Sequence, residues 1–273
     1  MIFWFLFGLT IILLIMYCIA NKIRIKWRTF LKKGFKPSRG IFGVYCYTGK
    51  QGKGKTFSLV EYLNDKKDTC VYFCNVNGIT CADYFFYTGF EELLKLKQII
   101  DFPGKYNEED LYNYCISLGF DFTRSRKITD LIIDSIENNK QLVFVYDEIF
   151  TELMRGSKLS QSVMDFLCQM RKRKIIFLTT AQEWSEIPIT FRKFCRYQID
   201  CCMIPILVTG ILIKRFNDAE NMKWVEEEQE FMAPLLETTI THTRKEIADS
   251  YDTFLRVSSA NPQAFAERKS ANN

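Results

Sequence analysis

Hydrophobic and polar positions divide the chain into a long apolar run, an alternation of buried-strand and helical patterns, and a polar end. Residues 2–20 are uncharged, with Thr10 the one clearly polar side chain. At about 1.5 Å per residue a helix of that length just crosses a hydrocarbon core. Residues 41–47 (IFGVYCY) read as a strand, 57–64 as a helix, and 67–75 as a second strand. Residues 81–126 have a mixed, aromatic-rich pattern expected of an insertion, and 128–137 form an amphipathic helix. Apolar residues at 159, 163, 166, 167 and 170 recur on one helical face. Residues 175–182 (IIFLTTAQ) and 196–200 are further strands. The apolar stretch 201–213 is too short to span a bilayer and contains Pro205 and Gly210, so it reads as two buried strands joined by a turn, with a re-entrant or interfacial segment as the alternative. The acidic segment 218–230 reads as a solvated helix or loop, and from about residue 257 the chain is small and polar.

This alternation predicts an α/β fold. Its expected division is a transmembrane anchor at 1–21, a basic juxtamembrane linker at 22–39, a core at 40–216 with an insertion at about 81–127, and a C-terminal helical region and polar tail at 217–273.

Charge supports the anchor. The chain has 37 basic and 32 acidic residues, a net +5, but eight basic residues and no acidic one lie between Asn21 and Gly40. Removing those eight leaves 29 against 32, near −3, so a globally basic nucleic-acid-binding surface is excluded. Trp4 and Tyr17 sit near the ends of the apolar run, and the basic cluster follows it. The expectation is therefore a single-pass membrane protein with the rest of the chain in the cytoplasm. Ten cysteines without a CxxC spacing, beside one histidine (His242), read as reduced core residues. They offer little for a zinc site.

Residues 49–56 read GKQGKGKT and fit the phosphate-binding pattern G-x-x-x-x-G-K-[ST] between a strand and a helix. Gly49, Lys50, Gln51, Gly52, Lys53 and Gly54 would wrap backbone N–H groups around phosphates. Lys55 would reach the β- and γ-phosphates of ATP, and Thr56 would ligate Mg2+. Residues 141–148 (QLVFVYDE) are a buried strand ending in two carboxylates. Asp147 is the expected second holder of Mg2+ and Glu148 the general base. Gln182, at the tip of the next strand, would sense or orient the γ-phosphate. Arg171 and Arg173, before that strand, are candidates for a finger into a neighbouring subunit's site, or else a basic helix end. Arg192, Lys193 and Arg196 either face DNA or are simply solvated beside core aromatics Trp184 and Phe191.

GKQGKGKT, VFVYDE and RKRKIIFLTTAQ together resemble the HerA/FtsK lineage of P-loop ATPases. With Asn75-Val-Asn-Gly78, they are similar to zonular-occludens-toxin-type filamentous phage assembly ATPases and to viral genome-packaging ATPases. The resemblance covers roughly 40–200. It implies a RecA-like core with a mostly parallel central sheet flanked by helices, a hexameric ring with ATP and Mg2+ at subunit interfaces, DNA as the moved substrate, and capsid or assembly proteins as partners. An anchor preceding the core is more like conjugative coupling proteins. Conjugative transfer, or a nucleotide-dependent membrane scaffold that moves no DNA, are the competing expectations.

Overall fold

The computed structural model of the chain describes residues 2–20, 23–25, 42–151, 153, 158–170, 172–206, 209–226 and 229–251. Among these, nine strands form one sheet in the order β1-β11-β8-β7-β2-β6-β5-β3-β4, and β9 (Lys223–Val225) and β10 (Glu230–Met232) make a separate hairpin. Six strands are mutually parallel: β7 (Cys195–Ile206), β2 (Gly43–Thr48), β6 (Ile176–Ala181), β5 (Gln141–Tyr146), β3 (Cys70–Cys74) and β4 (Tyr84–Phe86). The antiparallel β8 (Thr209–Asp218) and β11 (Leu235–His242) extend this half, with β1 (Ile23–Ile25) parallel to β11 at the edge.

Every residue of β2, β3 and β6 is buried, which is why these strands are near-continuous apolar runs and not alternating ones. Alternate residues supply two cores. On one face Val44, Phe73, Phe144 and Phe177 meet α3 (Phe90–Asp101), α4 (Glu108–Ser117), α5 (Phe122–Glu137) and α6 (Gln161–Gln169). On the other, Tyr45, Tyr72, Val145 and Leu178 meet Leu59 and Leu63 of α2 (Lys55–Lys66), with Phe216 and Ile247 beside them. α5 is held at its start by Asp121, whose carboxylate accepts from the Arg124 N–H at 2.8 Å.

The segment expected to be an insertion contributes β4, α3, α4 and the first turn of α5. It is fastened by Arg124, which donates to both oxygens of Glu92 at 2.6 and 2.9 Å and to the Phe86 carbonyl at 3.1 Å.

Three expectations change. The region from 217 onward is not helical: it holds the end of β8, the β9–β10 hairpin and β11, and α8 (Lys245–Ala248) is its one α-helix among the described residues. The run Thr238-Thr-Ile-Thr241 favours a strand, because β-branched side chains pack well on a pleated surface. Consequently the sheet does not stop at 216; β11 lies between β8 and β1. Finally, α1 (Ile2–Ala20) carries no charged residue, yet among the described residues no helix is long and apolar enough to cross a membrane. The expected anchor therefore has no support in the fold. The basic linker beyond Ile25 and the polar tail lie outside the described residues.

Candidate active site

β2 ends at Thr48, and the chain turns through 49–54 into α2. Two glycines of this turn are required by their surroundings. Gly49 has φ 143, and a Cβ there would stand 2.6 Å from the Cys201 carbonyl oxygen. Gly54, which precedes α2, has φ 87, and a Cβ would meet Leu212 Cδ1 and Met203 Cε at 2.9 Å. The β7–β8 pair thus packs closely on the loop at both glycines.

Lys55 is buried. Its ammonium donates to the Gly49 carbonyl at 2.6 Å and to the Lys50 carbonyl at 3.2 Å. Neutral dipoles satisfy the charge without cancelling it, so a phosphate could replace them. Thr56 donates to Asp147 Oδ2 at 3.0 Å, joining the start of α2 to the end of β5. Thr180 donates to Asp147 Oδ1 at 2.5 Å. Burial raises the Asp147 carboxyl above the usual carboxylate range; hydrogen bonds from Thr180 and Thr56 oppose this, the Glu148 charge adds to it, and Lys55 pulls it back.

Asn75 at the end of β3 grips the Asp147 peptide from the other side. Its amide donates to the Asp147 carbonyl at 3.1 Å and accepts from the Asp147 N–H at 2.6 Å. Glu148 is exposed and has a left-handed φ of 57. Its N–H donates to Thr180 Oγ1 at 2.7 Å. Gln182 follows β6, and its carbonyl accepts from the Gly49 N–H at 3.0 Å, which puts it against the loop.

Thr56 and Asp147 are hard oxygen donors at one spot, a set suited to Mg2+ completed by phosphate oxygens and water. Among the described residues no group of three or more His, Cys, Asp or Glu could hold a metal unaided.

The structure thus brings Gly49–Thr56, Asp147, Glu148 and Gln182 to one edge of the parallel sheet. It does not bring Arg173 there. That residue precedes β6 at the opposite edge, where its guanidinium pairs with Asp101 and donates to Gln169 Oε1 at 3.3 Å. Arg171 lies outside the described residues. Arg192, the last residue of α7 (Ile189–Arg192), is buried, donates to the Ile187 and Ser185 carbonyls at 2.8 and 3.1 Å, and lies over the Trp184 ring. It is a core residue, neither a DNA-facing nor a solvated cation.

Sequence reasoning missed Asn75, Thr180 and Asp200 as site residues. Asp200 takes hydrogen bonds from Thr48, beside the loop, and from Gln198 and Asn217 at 2.9 and 2.7 Å. A polar residue inside an otherwise apolar strand was the available signal for Thr180.

No protein-family model matches this chain, and no curated protein matches it. Several solved structures are similar in fold. The N-terminal domain of zonular occludens toxin from Neisseria meningitidis is 15% identical, with a TM-score of 0.43 over 78% of this chain and 100% of that one. The genome packaging NTPase from Sulfolobus turreted icosahedral virus 2, in complex with AMPPCP, is 10% identical with a TM-score of 0.40 over 72% and 100%. A KaiC-like protein from Pyrococcus horikoshii OT3 is 10% identical with a TM-score of 0.37 over 77% and 97%. Two of these are of the kinds that the sequence motifs resemble. At such scores the likeness describes shape only, and the chemistry rests on the site's own residues.

Proposed function

We propose that this chain is an ATPase that uses ATP with Mg2+ to move DNA, in viral genome packaging or filamentous phage assembly. The observation that carries the ATPase reading is the Thr56–Asp147 hydrogen bond, which closes the glycine loop onto the acidic end of β5 with Lys55 held only by carbonyls. ATP supplies the phosphoanhydride and Mg2+ the charge neutralisation on its oxygens. Lys55 would exchange its carbonyl partners for phosphate oxygens, and Thr56 and Asp147 would hold the metal. The Glu148 carboxylate, exposed at the strand end, would take the proton of the attacking water, and the Gln182 amide would sense or orient the γ-phosphate.

DNA as substrate rests on the sequence resemblance carried by residues 49–56, 75–78, 141–148 and 171–182. The same resemblance underlies a hexameric ring, a trans-acting Arg171 or Arg173, and capsid or assembly proteins as partners. For Arg173 to act, it would have to leave Asp101. We also propose that α1 anchors the protein in the membrane with the sheet on the cytoplasmic side. The uncharged run 2–20 and the eight basic residues after it support that reading.

The test is ATP turnover by the full chain with and without single- and double-stranded DNA, beside Lys55→Ala and Glu148→Gln. Stimulation by DNA that vanishes in Lys55→Ala is expected, with Glu148→Gln binding ATP but not hydrolysing it. Turnover indifferent to DNA would replace the motor by a nucleotide-dependent scaffold. Absence of turnover in the wild-type protein would overturn the ATPase reading.

A further inference from the structure

β6 reads Ile-Phe-Leu-Thr-Thr-Ala and is buried throughout. A strand covered on both faces in a parallel sheet is ordinarily aliphatic, and a buried hydroxyl is unfavourable unless it is hydrogen-bonded. Each of the two threonines therefore needs a partner. Thr179 finds a backbone one, donating to the Tyr146 carbonyl at 2.8 Å.

Thr180 faces the site. Its hydroxyl donates to Asp147 Oδ1 at 2.5 Å and accepts from the Glu148 N–H at 2.7 Å. One proton and two lone pairs are available to a hydroxyl, so this pairing of roles fixes its rotation. Valine would fill the same space and make neither bond. Glu148, meanwhile, has a backbone conformation that a side chain with a Cβ seldom adopts, at φ 57, and such a residue persists only where its surroundings hold it. Thr180 holds its N–H, while Asn75 clamps the preceding peptide at both its N–H and its carbonyl.

We infer that Thr180 is a positioning residue that sets two site carboxylates at once. By taking Asp147 Oδ1 it leaves Oδ2 turned to Thr56, the side on which Mg2+ would be held. By taking the Glu148 N–H it fixes the backbone from which that carboxylate departs, and so the direction in which it reaches a water. The inference rests on the ATPase reading above and assigns to a single hydroxyl the alignment of metal holder and base.

The experiment compares full-length wild type, Thr180→Val and Thr180→Ser by steady-state turnover, by the Mg2+ concentration for half-maximal turnover, and by binding of a fluorescent ATP analogue. The valine variant should lose about 30-fold or more in kcat, with analogue affinity changed by less than about 3-fold and a higher Mg2+ requirement. The serine variant should return to within about 3-fold of wild-type kcat. A packing role makes the opposite prediction, since valine keeps the volume and serine does not. Wild-type kcat in the valine variant, or a serine variant as impaired as valine, overturns the inference while leaving the ATPase reading intact. If the valine variant fails to fold, Thr180→Ala is held to the same expectation. An inactive wild-type protein overturns the ATPase reading itself, and with it the role given to Thr180.

Discussion

Helix α2 carries ionic groups near both ends, and the two sets are satisfied in opposite ways. At its start the Lys55 ammonium rests on two carbonyls, and Thr56 leads to a carboxylate that is otherwise held by a hydroxyl. Further along, Glu61 receives the buried Lys214 ammonium at 2.6 Å, and Asp65 receives Arg244 at 2.7 Å. Arg244 also lies 3.5 Å from Glu61. Charges met by opposite charges are consumed by the fold, and they tie α2 to β8 and to the start of α8. Charges met by neutral dipoles keep their field and can exchange partners with a ligand. The same helix is therefore anchored at one end and available at the other.

The sharpest way to break this contrast is Lys55→Ala, expected to lower ATP turnover by at least about 100-fold. Its thermal midpoint should move little, because Asp147, whose charge Lys55 partly offsets, keeps its hydrogen bonds from Thr56 and Thr180. At the other end the order reverses. Lys214→Ala leaves the buried Glu61 with Arg244 alone, at 3.5 Å, and should remove about 3 kcal/mol of stability in denaturant unfolding. The double change Glu61→Leu with Lys214→Met should recover most of that loss; if it does not, the pair contributes more than mutual neutralisation. Gly54→Ala probes the join between the two ends. Backbone strain at φ 87 should cost about 1–2 kcal/mol, and the displaced loop should weaken nucleotide binding measurably by calorimetry.

The smallest effect is a pH dependence remote from α2. Burial pushes the Glu92 carboxyl up, but the Arg124 hydrogen bonds and charge, with the Thr88 N–H, outweigh it and hold it below its ordinary value near 4.5. A carboxyl held low in the folded chain adds stability that is fully present above 4.5 and is lost as pH falls through the lower folded value. Because the pair is partly exposed, about 1 kcal/mol or less is at stake. Glu92→Gln should flatten that acid limb in urea unfolding between pH 5 and about 3.

What could be read from residues alone follows the same division. GKQGKGKT and VFVYDE carry their chemistry in local order, so the loop, Asp147 and Glu148 were legible before any fold was known. Four of the parallel strands, β2, β3, β5 and β6, were legible too, because strands covered on both faces are continuous apolar runs; β4 lies in the segment that reads as an insertion. β8 and β11 were harder. Lys214 interrupts an apolar stretch, and nothing near it in sequence accounts for its burial; its partner Glu61 is 153 residues away. Thr180 stands within an apolar strand, but its purpose depends on a carboxylate brought alongside by strand pairing. Residues 218–230 look solvated because of their acids, and the short β9–β10 pairing of Trp224 with Phe231 is cross-strand information.

The placement of β2 has a consequence for how the chain comes to be folded at all. Its two neighbours in the sheet are β6 and β7, with Gly43 opposite Ile176 and Val44 opposite Cys195. The strand that leads into the loop is therefore synthesised long before either neighbour exists, and at 5–20 residues per second it waits on the order of ten seconds. During that interval Gly43-Val-Tyr-Cys-Tyr-Thr48 is an unpaired apolar edge of the kind that aggregates or recruits chaperones. Folding dominated by such distant pairings is slow. ATP would find no binding loop on a nascent chain; it could stabilise only the finished sheet.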